Sequence, residues 1–232
     1  MKVLALETAC MTASCAVVEN GAVLGEISTS NAGTHSLRLV PMIEKLFDIL
    51  ELKADSIDLF SASMGPGSFT GLRIGIVTVK GMAYALKRPV CGIPTLDALA
   101  WSVNDFHGIV CPMLDARNNQ VYTALYRKNE REFTRLTDYS GIPVGDLSAM
   151  LTGYPEDVLI LGDAATIYFS QLKSLHDHPV FCADPALFIP RAACTALLAE
   201  KQAIQGVLSS AFELEPMYLR KSQAERMKDS VV

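Results

Sequence analysis

No apolar run in these 232 residues approaches the ~18 that a membrane-spanning helix requires. The opening stretch from Met1 meets Glu7 too early for a secretion signal, and no cleavage context follows. Six cysteines, at positions 10, 15, 91, 111, 182 and 194, never form a Cys-x-x-Cys pair. That removes the common zinc and dithiol frameworks and leaves small buried thiols in a reducing compartment. A cytoplasmic protein without a membrane segment is expected. Basic residues are also scarce, 20 Lys and Arg against 25 Asp and Glu, a net charge of −5. The one basic cluster, Arg220, Lys221 and Arg226, has no aromatic residues interleaved with it, so autonomous nucleic-acid binding is not expected. Nucleophile signatures are missing as well: there is no Gly-x-Ser-x-Gly, and no Cys with a placed His and Asn. A zinc pair built on His35 would need a second His four residues on, and that position is Leu39. His176-Asp177-His178 reads as a solvated loop. No catalytic residue and no metal ligand is assigned.

What is present is a run from Ser61 to Gly81 around which the chain is organised. An apolar strand, 57 to 62, enters a turn made of Gly65, Pro66 and Gly67. Ser68 and Thr70 then stand where a helix cap belongs, and an apolar helix follows from about Gly71 to Leu86. Strand, glycine turn and helix N-terminus are the parts of an anion site, because unpaired N–H groups and the helix dipole converge there. The Lys of a phosphate-binding loop is absent. Two readings stay open: a phosphate cradle, or a tight turn that lets a glycine-rich helix pack close to the sheet. Gly67 is expected to take a positive φ.

Upstream, residues 2–7, 13–19 and 22–29 read as three strands, with Asn20-Gly21 a hairpin turn between the second and third. A helix over 34–52, capped by Thr34 and kinked at Pro41, carries two apolar stripes. Leu37, Val40, Ile43, Phe47 and Leu50 are assigned inward. Leu39, Met42, Leu46 and Ile49 are assigned to a protein partner, joined by the small-residue helix starting at Gly71 and Gly75. The alternative is that both stripes are core. A boundary between lobes is placed at the turn 105–108, giving units 1–104 and 105–232, with the C-terminal segment available to return to the first. The second unit reads as strands over 109–114, 121–126 and 158–161, and helices over 144–151, 164–175 and 190–204. The mixture of an antiparallel opening with strand–helix alternation predicts an α/β fold with mixed sheets flanked by helices.

The opening resembles the ribonuclease H-like core of the actin and sugar-kinase superfamily. Its acidic residue after the first strand would be Glu7, with Thr8 and Thr12 in the first turn. A Glu exposed at a strand end is the competing reading. Over its whole length the chain is similar to the TsaB (YeaZ) family. The matching residues are Leu4 to Thr8, His35-Ser36, Gly65 to Gly75, Lys80-Gly81, Asp115-Ala116-Arg117 with Val121-Tyr122, and Pro216 to Arg220. Glu7 replaces the family's Asp, and Met64 stands where an Arg is frequent. The resemblance implies an actin-like two-lobed fold and an accessory subunit without an active site. It implies TsaD and TsaE as partners in threonylcarbamoyl transfer to the adenosine beside the tRNA anticodon. ATP and metal would be held by those partners, not by this chain. A homodimer when alone would use the TsaD-binding surface, with His35 at its edge, and tRNA would be met mainly through the complex. Glu7, Thr8, Thr12, Gly65, Gly67, Ser68 and Thr70 would then be a vestigial phosphate site. The alternatives are a phosphotransferase, for which Gly162-Asp163-Ala164-Ala165 is a thin second phosphate motif, or a peptidase related to TsaD.

Overall fold

The computed structural model describes residues 1–30, 35–129, 133–175 and 178–219. Strands β1 (Lys2–Glu7), β2 (Ala13–Glu19) and β3 (Ala22–Thr29) form an antiparallel meander. Asn20 (φ 50°) and Gly21 (φ 79°) supply the left-handed pair that a tight hairpin needs. Helix α1 (His35–Leu50), strand β4 (Leu59–Gly65), helix α2 (Phe69–Leu86) and strand β5 (Val90–Pro94) follow. Strands β4 and β5 add in parallel, giving a first sheet of order β3-β2-β1-β4-β5. Helix α3 (Thr95–Trp101) leads into a second sheet.

That sheet begins with β6 (Gly108–Asp115) and β7 (Gln120–Thr123). The hairpin β8 (Tyr126–Lys128) and β9 (Phe133–Arg135) and then β10 (Ser140–Pro143) follow. Helix α4 (Val144–Leu151), β11 (Val158–Leu161), α5 (Ala165–Leu175), β12 (Val180–Cys182) and α6 (Ala192–Ile204) complete the chain of elements. The path is β10-β7-β6-β11-β12, with β8 pairing to β6 and β9. The strand expected over 121–126 is broken in two: β7 pairs with Met113 to Asp115, whereas β8 pairs with Gly108 to Val110. The two pieces keep one continuous register on β6. The ladder lapses at residues 124 and 125, opposite Pro112, which has no N–H to donate, and the Leu125 amide turns to the Thr137 hydroxyl instead.

Burial on both faces explains why β1 reads as continuously apolar. Leu4 and Leu6 pack with α1 and α2, whereas Val3 and Ala5 pack with Ala196 and Ala199 of α6. Helix α6 thus covers the first sheet. Leu96 and Leu99 of α3 join Val110, Leu114, Tyr126 and Leu161 of the second sheet in a core between the two.

Helix α1 corrects the assignment of its two stripes. Leu39, Ile43 and Leu46 are the buried positions, 1–3% exposed, with Met42, Phe47 and Leu50 partly buried beside them. Leu37 (76%), Val40 (48%) and Ile49 (60%) face outward. Leu39 and Leu46 therefore belong to the chain's own core, and Leu37 and Val40 do not. Side-chain spacing fixes the angle between stripes but not which one meets the sheet; Gly25 of β3 decides it. A Cβ at Gly25 would lie 3.2 Å from Leu46 and 3.1 Å from Leu50, so that bare backbone is the seat for this face. The helix runs on through Pro41, and the proposed cap Thr34 lies outside the described residues.

Candidate functional site

The first turn, the glycine turn and the start of α6 converge on Glu7 at the end of β1. The exposed reading of Glu7 is overturned: it is 1% exposed. Its Oε1 accepts the Ala9 amide at 2.8 Å and the Ser63 hydroxyl of β4 at 2.7 Å. Its Oε2 lies 3.5 Å from the Thr195 hydroxyl of α6. Burial pushes its carboxyl up to about 7, and these hydrogen bonds offset only part of that rise. Ser63 and Thr195 were not legible as partners; Thr195 is 188 residues away and carries no motif.

Thr8 and Thr12 are buried too. The Thr8 hydroxyl donates to the Gly71 carbonyl at 2.8 Å. A Cβ at Gly71 would run into the Thr8 carbonyl, and one at Gly75 into the Thr8 side chain. These two glycines therefore admit the chain's own first turn, not a partner, which corrects their assignment to an interface. The close approach expected along α2 exists, and it is intramolecular.

The same packing fills the glycine turn. Only Gly65 there has positive φ, 114°. Gly67 does not, contrary to expectation; it is required because a Cβ would sit 2.5 Å from the Ala9 carbonyl oxygen and 2.7 Å from the Ala9 Cβ. The Ser68 amide donates to that carbonyl at 2.6 Å, and the Ser68 hydroxyl caps α2 by accepting the Gly71 amide at 3.2 Å. Two N–H groups that a phosphate would need thus already have partners. Thr70 is exposed in the first turn of α2 and takes no part in the cap.

His35 sits at the start of α1 with Nε2 3.0 Å from the Cys10 carbonyl oxygen, tying the helix to the first turn. Across from it, Asp163 accepts the Asp115 amide at 2.9 Å, and Asp115 accepts the Arg117 amide at 2.7 Å. Burial raises the Asp163 carboxyl. Gly162 (φ 103°) is packed against the Met113 carbonyl, so the second glycine motif serves to join β11 to β6. Among the described residues no three His, Cys, Asp or Glu side chains stand where they could hold a metal. His176 and Asp177 lie outside those residues.

The family model for TsaD, tRNA N6-adenosine threonylcarbamoyltransferase, matches residues 22–226. The tRNA threonylcarbamoyladenosine biosynthesis protein TsaB of Bacillus subtilis is 29% identical over 97% of this chain and 96% of its own. YeaZ from Pseudomonas aeruginosa superposes with a TM-score of 0.78 at 26% identity, covering 94% of this chain and 99% of the other. The chain belongs to the TsaB (YeaZ) family. A ROK hexokinase from Thermus thermophilus shares the fold alone, at TM-score 0.50 and 12% identity over 88% of this chain and all of the other. The fold is thus the actin-like one of sugar kinases, with two mixed sheets flanked by helices. Within it, this TsaB-family chain keeps the glycine turn of its sequence and closes it with its own first turn. No helix among the described residues is long and apolar enough to cross a membrane.

Proposed function

We propose that this chain is an accessory subunit without catalytic turnover that binds TsaD, with TsaE, and supports threonylcarbamoyl transfer to the adenosine next to the tRNA anticodon. The observation that carries the reading is the filled glycine turn. Ala9 occupies the space over Gly67, and the Ser68 and Gly71 amides are bonded within the chain. Glu7 beneath them is enclosed by hydrogen-bond donors of its own fold. A site arranged this way supports packing, and the nucleotide and metal chemistry falls to the partners. A partner surface is available on α1, where Ile49 of the stripe first assigned stays exposed in line with Met42 and His35, while Leu37 and Val40 stand exposed on the other flank of the helix. Self-association of the free chain would cover the same residues, in competition with TsaD.

The test is reconstitution of transfer to a tRNA transcript by TsaD and TsaE, with and without this chain. Transfer that depends on the chain, from a protein that alone neither hydrolyses ATP nor modifies tRNA, is expected. ATP turnover by the chain alone that disappears in Glu7→Ala would overturn the accessory reading and favour a phosphotransferase.

A further inference from the structure

Three cations lie over aromatic rings along one ribbon that joins the two sheets. Lys201 of α6 stands 4.9 Å, and Lys128 of β8 5.9 Å, from the centre of the Trp101 ring. The Arg135 guanidinium is 4.0 Å from that of Tyr139. The rings are continuous: Trp101 meets Phe133 edge-on at 5.3 Å, and Phe133 stacks on Tyr126 at 5.2 Å. Tyr126 and Tyr139 share the Asp97 carboxylate. No sequence window contains this pattern, because α3, β8, β9 and α6 each contribute part of it. None of the three cations forms a salt bridge among the described residues. Lys128 is half-buried, and its ammonium is pushed below the usual lysine range by desolvation, with Asp105 acting on it only through space. An anion delivered to this place would restore the lost solvation of Lys128.

We propose that this ribbon is a contact surface for RNA, with Lys128, Arg135 and Lys201 meeting backbone phosphates. The rings beneath hold the cations at fixed spacing, so binding is carried by the phosphate contacts and not by base stacking. The inference rests on the reading that the chain works on tRNA in company with TsaD. It also fits the overall charge: three contacts on a chain of net charge −5 give weak, salt-sensitive binding that matters beside a stronger RNA-binding partner.

Trp101 is the only tryptophan, so its fluorescence reports directly on the ribbon. Titrating an unmodified tRNA transcript into the full chain should change that fluorescence saturably. The slope of log K against log salt should be shallower by about 2 to 3 in the variant Lys128→Gln/Arg135→Gln/Lys201→Gln, the loss expected for three phosphates. In the reconstituted reaction the same variant should raise KM for tRNA with kcat and TsaD capture unchanged. Should the triple variant not fold, the exposed pair Arg135→Gln/Lys201→Gln decides, with a slope loss of about 1 to 2. An unchanged slope and KM in a folded variant overturns the proposal. Lost TsaD capture with unchanged RNA binding also overturns it, in favour of an acidic protein surface. If the wild-type chain does not support transfer at all, the accessory reading fails, and the direct titration still judges this one.

Discussion

Asp97 is the single side chain whose removal should do most to separate the two sheets. It projects from α3, and one of its oxygens accepts the Tyr126 hydroxyl at 2.6 Å and the Tyr139 hydroxyl at 2.8 Å. Tyr126 is fully buried, and burial together with the Asp97 charge raises both phenols, so both remain donors. Hydrogen bonds to an ionised acceptor contribute about 1.5–3 kcal/mol each, and a buried phenol left without an acceptor adds its desolvation penalty. Tyr139 is only partly buried and can recover a bond to water, which reduces the sum. Asp97→Ala should therefore cost about 3–5 kcal/mol. In a chain of this length that is a fall in Tm of roughly 6–20 °C. Tyr139→Phe removes one donor and keeps the other bond, so about 1–2 kcal/mol is expected. The measurement is thermal unfolding followed by Trp101 fluorescence, whose ring lies in the same ribbon, with circular dichroism as the second probe. Coincident curves with a Tm change below about 2 °C for Asp97→Ala would refute the claim that this carboxylate holds α3 to the second sheet.

Other outcomes follow from the same geometry. Leu46→Glu places an unpaired carboxylate in the α1 core and should cost several kcal/mol, seen as lost circular dichroism, whereas Ile49→Glu should fold normally and fail in TsaD pull-down and self-association. A folded, partner-binding Ile49→Glu would move the interface off α1. Glu7, with its carboxyl raised to about 7, favours the folded state when protonated. Its contribution is complete below about pH 4.5 and falls away as pH rises through 7, by roughly 3 kcal/mol in all. Thermal denaturation from pH 5 to 8 should show that loss, and Glu7→Gln should flatten it; an unchanged slope in the variant assigns the dependence to other groups. Gly67→Ala should already destabilise by about 1–3 kcal/mol through the Ala9 contact, and Gly67→Val by more; wild-type stability of both would mean the first turn yields freely.

Much of the fold was written locally. Apolar β1, the Asn20-Gly21 hairpin, the Ser68 cap and the apolar run of α2 are short-range chemistry, and each forms near where it was expected. The absence of a Lys in the glycine turn and of a second His on α1 is equally plain in the sequence. Three matters were settled only by packing. The stripe of α1 that faces inward depends on where a flat seat exists, and that seat is Gly25, on another element. The glycines of α2, Gly71 and Gly75, required a close neighbour, but the sequence named none; the neighbour is Thr8, its carbonyl at Gly71 and its side chain at Gly75, more than sixty positions back along the chain. The surroundings of Glu7 and the cation–aromatic ribbon are assembled from segments up to 188 residues apart. Periodicity reports the shape of one element, while burial, pKa and charge neighbourhood are properties of the contacts between elements. Only the folded chain brings those contacts together.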